Sequence, residues 1–87
     1  MANQKKVPRV KVPYELDVAA IRLKTRCPGH WTAYTQDNFA RLIGVPIGTL
    51  RQWEIGRRKP TGAARVLLAM LDRNPRVVVE TLDDSAV

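Results

Sequence analysis

The chain has 87 residues, a formal net charge of +7 and a single cysteine, so it forms one small domain with a thin core and no internal disulfide. No apolar h-region follows the basic start, so a signal peptide is not expected. The longest apolar run, residues 66–71 (VLLAML), is too short to span a bilayer. The sequence pI near 10.3 favours a polyanionic partner and, with the lone cysteine, a cytoplasmic setting.

Residues 1–13 carry Lys5, Lys6, Arg9 and Lys11. Pro8 and Pro13 oppose helix there, and Val10-Lys11-Val12 alternates with a period of two, so an extended basic arm is expected. The folded domain then covers residues 14–82, and residues 83–87 form an acidic tail. A first helix should begin after Asp17, a good N-cap, with Leu16 and Ile21 at hydrophobic-staple spacing. Ala20, Ile21 and Leu23 are its expected buried stripe, and Pro28-Gly29 its end. Residues 27–34 read as a loop in which Trp31 covers the core edge.

Thr35 is expected to cap a second helix over residues 36–43, with Phe39, Ala40 and Ile43 on one face. A third should run from Pro46 or Ile47 to Glu54. Thr61 should cap a fourth, where Ala64, Leu67, Leu68 and Leu71 fall at i, i+3, i+4 and i+7. Asn74-Pro75 reads as a cap and first-turn proline for a fifth short helix carrying Val78 and Leu82. Its Val77-Val78-Val79 run would also suit a strand. The expectation is an all-α domain of about five helices.

The most informative stretch is ARLIGVPIGTLRQWEIGRRKP, residues 40–60. Two helices that meet across a three-residue turn need a small residue where they cross, and Ala40 is small. The turn needs a residue tolerant of positive φ, which Gly44 supplies. Pro46 suits a helix start. Phe39, Ile43, Val45, Leu50 and Trp53 can bury both helices on one core. With Gln36 as position one, the small residue falls at five, glycine at nine, and apolar residues at four, eight, ten, fifteen and eighteen.

With all these spacings met together, TQDNFARLIGVPIGTLRQWEIGRRKP resembles the helix-turn-helix of Cro/repressor-type, or Xre-type, transcriptional regulators. The likeness covers about residues 17–72. The fuller string, from VPYELDVAAIR through TGAARVLLAML, resembles HigA-like antitoxins of type II toxin–antitoxin pairs. The first resemblance implies a lambda-repressor-like fold and a homodimer on double-stranded operator DNA, with recognition helices about 34 Å apart. The second implies a RelE/HigB-like ribonuclease toxin as partner and repression of the pair's own operon. The alternative is a stand-alone regulator, chromosomal or phage-like, without a toxin.

A third helix fixed from behind by Leu50 and Trp53 would present Ile47, Gly48, Arg51 and Gln52 to the major groove. Arg51 can bond guanine bidentately, Gln52 adenine, and Ile47 can meet a thymine methyl. Gly48 permits close approach. The family's phosphate-contacting positions correspond to Gln36, Thr49, Arg57, Arg58 and Lys59, and Gln36 opens a helix whose backbone N–H groups favour an anion. Glu54 reads as an ion-pair partner for Arg57 or Arg58. Cys27 and His30 are too few ligands for a structural zinc site and lack the third residue of a thiol catalytic dyad. No metal, cofactor or enzymatic activity is expected. An RNA-binding alternative would want exposed aromatics, whereas the five here read as mostly buried.

Overall fold

A computed structural model of the chain describes residues 7–26 and 32–83. It is all-helical: α1 (Val18–Lys24), α2 (Gln36–Ile43), α3 (Ile47–Glu54), α4 (Gly62–Arg73) and α5 (Val77–Leu82). Among the described residues there is no strand, only an isolated antiparallel bridge between Arg26 and Ala33. Residues 7–13 carry no helix or strand. The expectations for Trp31, for Cys27 and His30, and for residues 1–6 and 84–87 fall outside the described residues.

The core joins four helices. Val18 and Ile21 of α1, Phe39 and Ala40 of α2, Leu50 of α3, and Leu68 and Leu71 of α4 are all buried. Burial of each large aliphatic or aromatic side chain contributes about 1.5–3 kcal/mol. Ile43, Val45, Trp53 and Leu67 pack around this cluster half-buried, as their spacing predicted, and Val78 of α5 joins them. The stripe of α4 is therefore correct, with Leu68 and Leu71 innermost.

Three local expectations are corrected. Helix α1 ends at Lys24, before Pro28-Gly29. The backbone N–H of Thr25 donates to the carbonyls of Ile21 and Arg22, and its hydroxyl donates to the Ile21 carbonyl at 2.8 Å. The carbonyl of Thr25 then accepts from Tyr34 N–H, so pairing across the loop draws the chain out of the helix. The buried stripe of α1 is Val18, Ile21 and Thr25, at i, i+3 and i+7, while Ala20 and Leu23 are exposed. Its start agrees with expectation: Asp17 accepts from Ala20 N–H at 3.0 Å, and Leu16 packs against the core.

The third correction concerns Asn74. It closes α4, its N–H donating to Met70 O at 2.7 Å, and its side-chain oxygen accepts from Arg76 N–H at 3.1 Å. This side-chain turn delays α5 until Val77, so Asn74 does not cap α5 and Pro75 lies in the turn. The valine run is helical, as the start signal favoured over the strand. Thr61 occupies the cap position of α4, but its hydroxyl makes no capping bond.

Candidate nucleic-acid interface

The hinge of the interface is the turn between α2 and α3. Thr35 caps α2 by accepting from Asn38 N–H at 3.1 Å. At the other end Gly44 takes φ +78°, left-handed backbone that disfavours a Cβ. That conformation lets the N–H groups of Gly44 and Val45 both donate to Ala40 O, at 2.9 and 3.0 Å. Pro46, with φ −62°, stands at the cap position of α3 and offers no side-chain cap.

Leu50 is fully buried and Trp53 packs half-buried against the core. These two side chains fix which side of α3 faces in. Gly48 and Arg51 are exposed, while Thr49 and Gln52 are half-buried. A Cβ at Gly48 would meet nothing within 4 Å, so neither the fold's packing nor a positive φ requires glycine there. Ile47 departs from expectation. It is half-buried and packs against the core cluster, so only part of it is presented outward.

Behind this face lies a polar network that local spacing did not reveal. Arg22 of α1 grips the Glu54 carboxylate with two bonds, Nε to Oε2 at 2.7 Å and Nη2 to Oε1 at 3.1 Å. Its Nη1 donates to Tyr34 O at 2.9 Å. Gln36 Nε2 also donates to Glu54 Oε1, at 3.0 Å, and Gln36 Oε1 accepts from Arg51 Nε at 3.4 Å. Glu54 therefore pairs with Arg22, not with Arg57 or Arg58; the tertiary fold brings in a partner 32 positions away. Burial of Glu54 pushes its carboxyl pKa up, but the hydrogen bonds from Arg22 and Gln36 and the charge of Arg22 outweigh this. The net result is a pKa below the ordinary 4.5.

Beyond α3 the chain turns back on itself. Gly56 has φ +81°, and the N–H groups of Arg57 and Arg58 both donate to Gln52 O, at 3.0 and 3.3 Å. This Schellman-type closure holds two exposed guanidinium-bearing residues at the C-terminal end of α3. Lys59 is differently placed. Its ammonium pairs with Glu15 and lies 5.2 Å from the centre of the Tyr14 ring, which Arg65 also approaches at 5.7 Å. The hydrogen bond to Glu15 is the main cause of its raised pKa. Tyr14 is exposed, the exception among the described aromatics, since Phe39 is buried and Tyr34 and Trp53 are half-buried.

The structure thus gathers Gly48, Thr49, Arg51 and Gln52 on or beside one face of α3, with Arg57 and Arg58 at its end. It engages the side chain of Gln36 internally and ties Lys59 to the segment before α1. Sequence reading missed Arg22, Glu15 and Arg65. The one available hint was Glu54, a lone acid in an otherwise basic stretch.

Over 47 residues, 54% of this chain and 49% of the relative, the sequence is 32% identical to the uncharacterised HTH-type transcriptional regulator YiaG of Escherichia coli, in each of three strains. The chain thus spans about half the length of the curated relatives it matches. No family model and no solved structure matches it. The likeness supports an HTH-type regulator family, and the all-helical fold agrees with an HTH domain.

Proposed function

We propose that this chain is a sequence-specific DNA-binding transcriptional repressor that inserts α3 into the major groove of its operator, and that it has no catalytic role. The observation that carries the reading is the α2–turn–α3 unit: Leu50 and Trp53 hold one side of α3 on the core while Gly48 and Arg51 remain exposed on the other. Arg51 reads guanine, Gln52 adenine, and Gly48 with the free edge of Ile47 meets the base edges nearby. A good bidentate pair discriminates by about 1–3 kcal/mol. Thr49, Arg57, Arg58 and the backbone N–H of Gln36 hold phosphates; Lys59 joins them only by exchanging its Glu15 partner for a phosphate. Two copies bind a roughly palindromic site in the cytoplasm, meeting through the apolar surface of α4 and α5, where Val66, Met70 and Leu82 are exposed.

A finer reading adds neutralisation of a RelE/HigB-like toxin. Its support is the HigA-like sequence string together with segment 7–13, which carries no helix or strand of its own and whose Val10-Lys11-Val12 alternation suits pairing with a sheet edge. Co-purification with a small basic protein encoded beside it separates this antitoxin from a stand-alone regulator.

The test of DNA reading is an electrophoretic mobility shift with DNA from upstream of the chain's own gene. Replacing Arg51 and Gln52 together by alanine should abolish sequence-specific retardation while the helical circular dichroism signal stays unchanged. Specific retardation that survives the double replacement refutes the assignment of α3.

A further inference from the structure

The geometry points to Gln36 as a positioning residue that orients Arg51 for base reading, a role that rests on the DNA-reading function above. Sequence resemblance places Gln36 among the phosphate contacts. Its side chain is committed elsewhere. Glu54, ionised, can only accept hydrogen bonds, so Gln36 must turn its Nε2 toward that carboxylate. Its oxygen is then forced to the opposite side, where it accepts from Arg51 Nε. Arg22 completes the line by clamping Glu54 from behind. Four side chains from three helices therefore form one chain of bonds, running from a partly buried ion pair to an exposed guanidinium.

The direction of the amide matters. A phosphate is also acceptor-only, and the Gln36 oxygen would repel it. The same oxygen suits a guanidinium, and it binds Arg51 through Nε, leaving the paired Nη groups for the bidentate contact that guanine needs. An exposed arginine otherwise loses rotamer freedom when it binds, which weakens association. Gln36 restricts Arg51 before DNA arrives. The backbone N–H of Gln36 remains at the start of α2 for a phosphate, so the two roles divide between main chain and side chain.

The deciding variant is Q36M, similar in length and helix propensity but with no donor and only a weak thioether acceptor; Q36A serves as the second variant should Q36M fold poorly. Binding is measured by competition against a set of operators altered one base pair at a time, with unrelated DNA for non-specific affinity. At the pair sensitive to R51A, Q36M should lose discrimination by about 2- to 10-fold, the scale of immobilising one long side chain. Other positions and non-specific affinity should hold, and Q36M/R51A should match R51A alone. In the free protein, the Arg51 Nε–H resonance should move in Q36M. Equal weakening on every sequence would make the side chain a phosphate contact and overturn the proposal. So would a wild type that discriminates beside a Q36M that discriminates equally well. A wild type that prefers no sequence fails earlier, and refutes the DNA-reading function itself.

Discussion

Replacing Arg22 by methionine removes one half of the ion pair and leaves the other in place. The Glu54 side chain is only 7% exposed and Arg22 16%. Breaking a fully buried pair costs about 3–5 kcal/mol, because an uncompensated charge is left inside. Here Gln36 still donates to Glu54 and some solvent reaches the site, so the loss should be about 2–4 kcal/mol. A chain of 87 residues has a total stability of about 4–13 kcal/mol, so R22M should approach the edge of folding, with Tm lower by about 10–25 °C. The pH dependence gives a second check. Glu54 has a folded pKa below its unfolded value, so its contribution is present above about pH 4.5 and fades as pH falls through the folded pKa. In R22M, burial with one remaining donor raises that pKa, so acid relieves the penalty instead. Urea unfolding followed by circular dichroism at neutral and acid pH should show the gap between wild type and R22M narrowing as pH falls. A neutral-pH loss under about 1 kcal/mol, or a gap that does not narrow, would refute the view of Glu54 as a charge that depends on Arg22.

Gly48→Ala should act in opposite directions on stability and on binding. Its Cβ meets open space, so urea unfolding should show a gain of up to about 1 kcal/mol from helix propensity, while operator affinity falls because DNA occupies that space; unchanged affinity removes Gly48 from the contact surface. Arg58→Ala should weaken binding on all sequences alike and make the slope of log affinity against log salt shallower by about 0.9. A salt titration of fluorescence anisotropy measures it, and an unaltered slope leaves Arg58 as a solvated cation.

What the sequence could reveal was whatever depends on neighbours within a few positions. Thr35 with Asn38, Gly44 after an amphipathic run, and the stripe of α4 are short-range signals, and each is where the pattern placed it. The face of α1 was misread because Thr25, a polar residue, supplies its third buried position by turning its hydroxyl onto the helix's own backbone. Asn74 was misread because the same side chain suits a helix start and a turn, and only the bond to Arg76 N–H distinguishes them. For the interface, the core-facing pair Leu50 and Trp53 was legible from spacing. The partners of Glu54 and Lys59 were not, because Arg22 and Glu15 arrive from far along the chain.

That division has a physical basis. Apolar contacts stabilise α3 but are non-directional, so Leu50 and Trp53 alone tolerate small rotations of the helix about its axis. A bidentate guanidinium–carboxylate pair has fixed geometry, and Glu54, at the last turn of α3, ties that turn to α1 through Arg22. The rotation of α3 is what decides where Arg51 points. Stability and reading therefore draw on different contacts. Replacing both Arg22 and Glu54 by methionine removes the stranded charge and should recover most of the stability lost in R22M. It also leaves Gln36 without the carboxylate that orients its amide, so the double variant should regain stability while its discrimination at the base pair sensitive to R51A stays reduced.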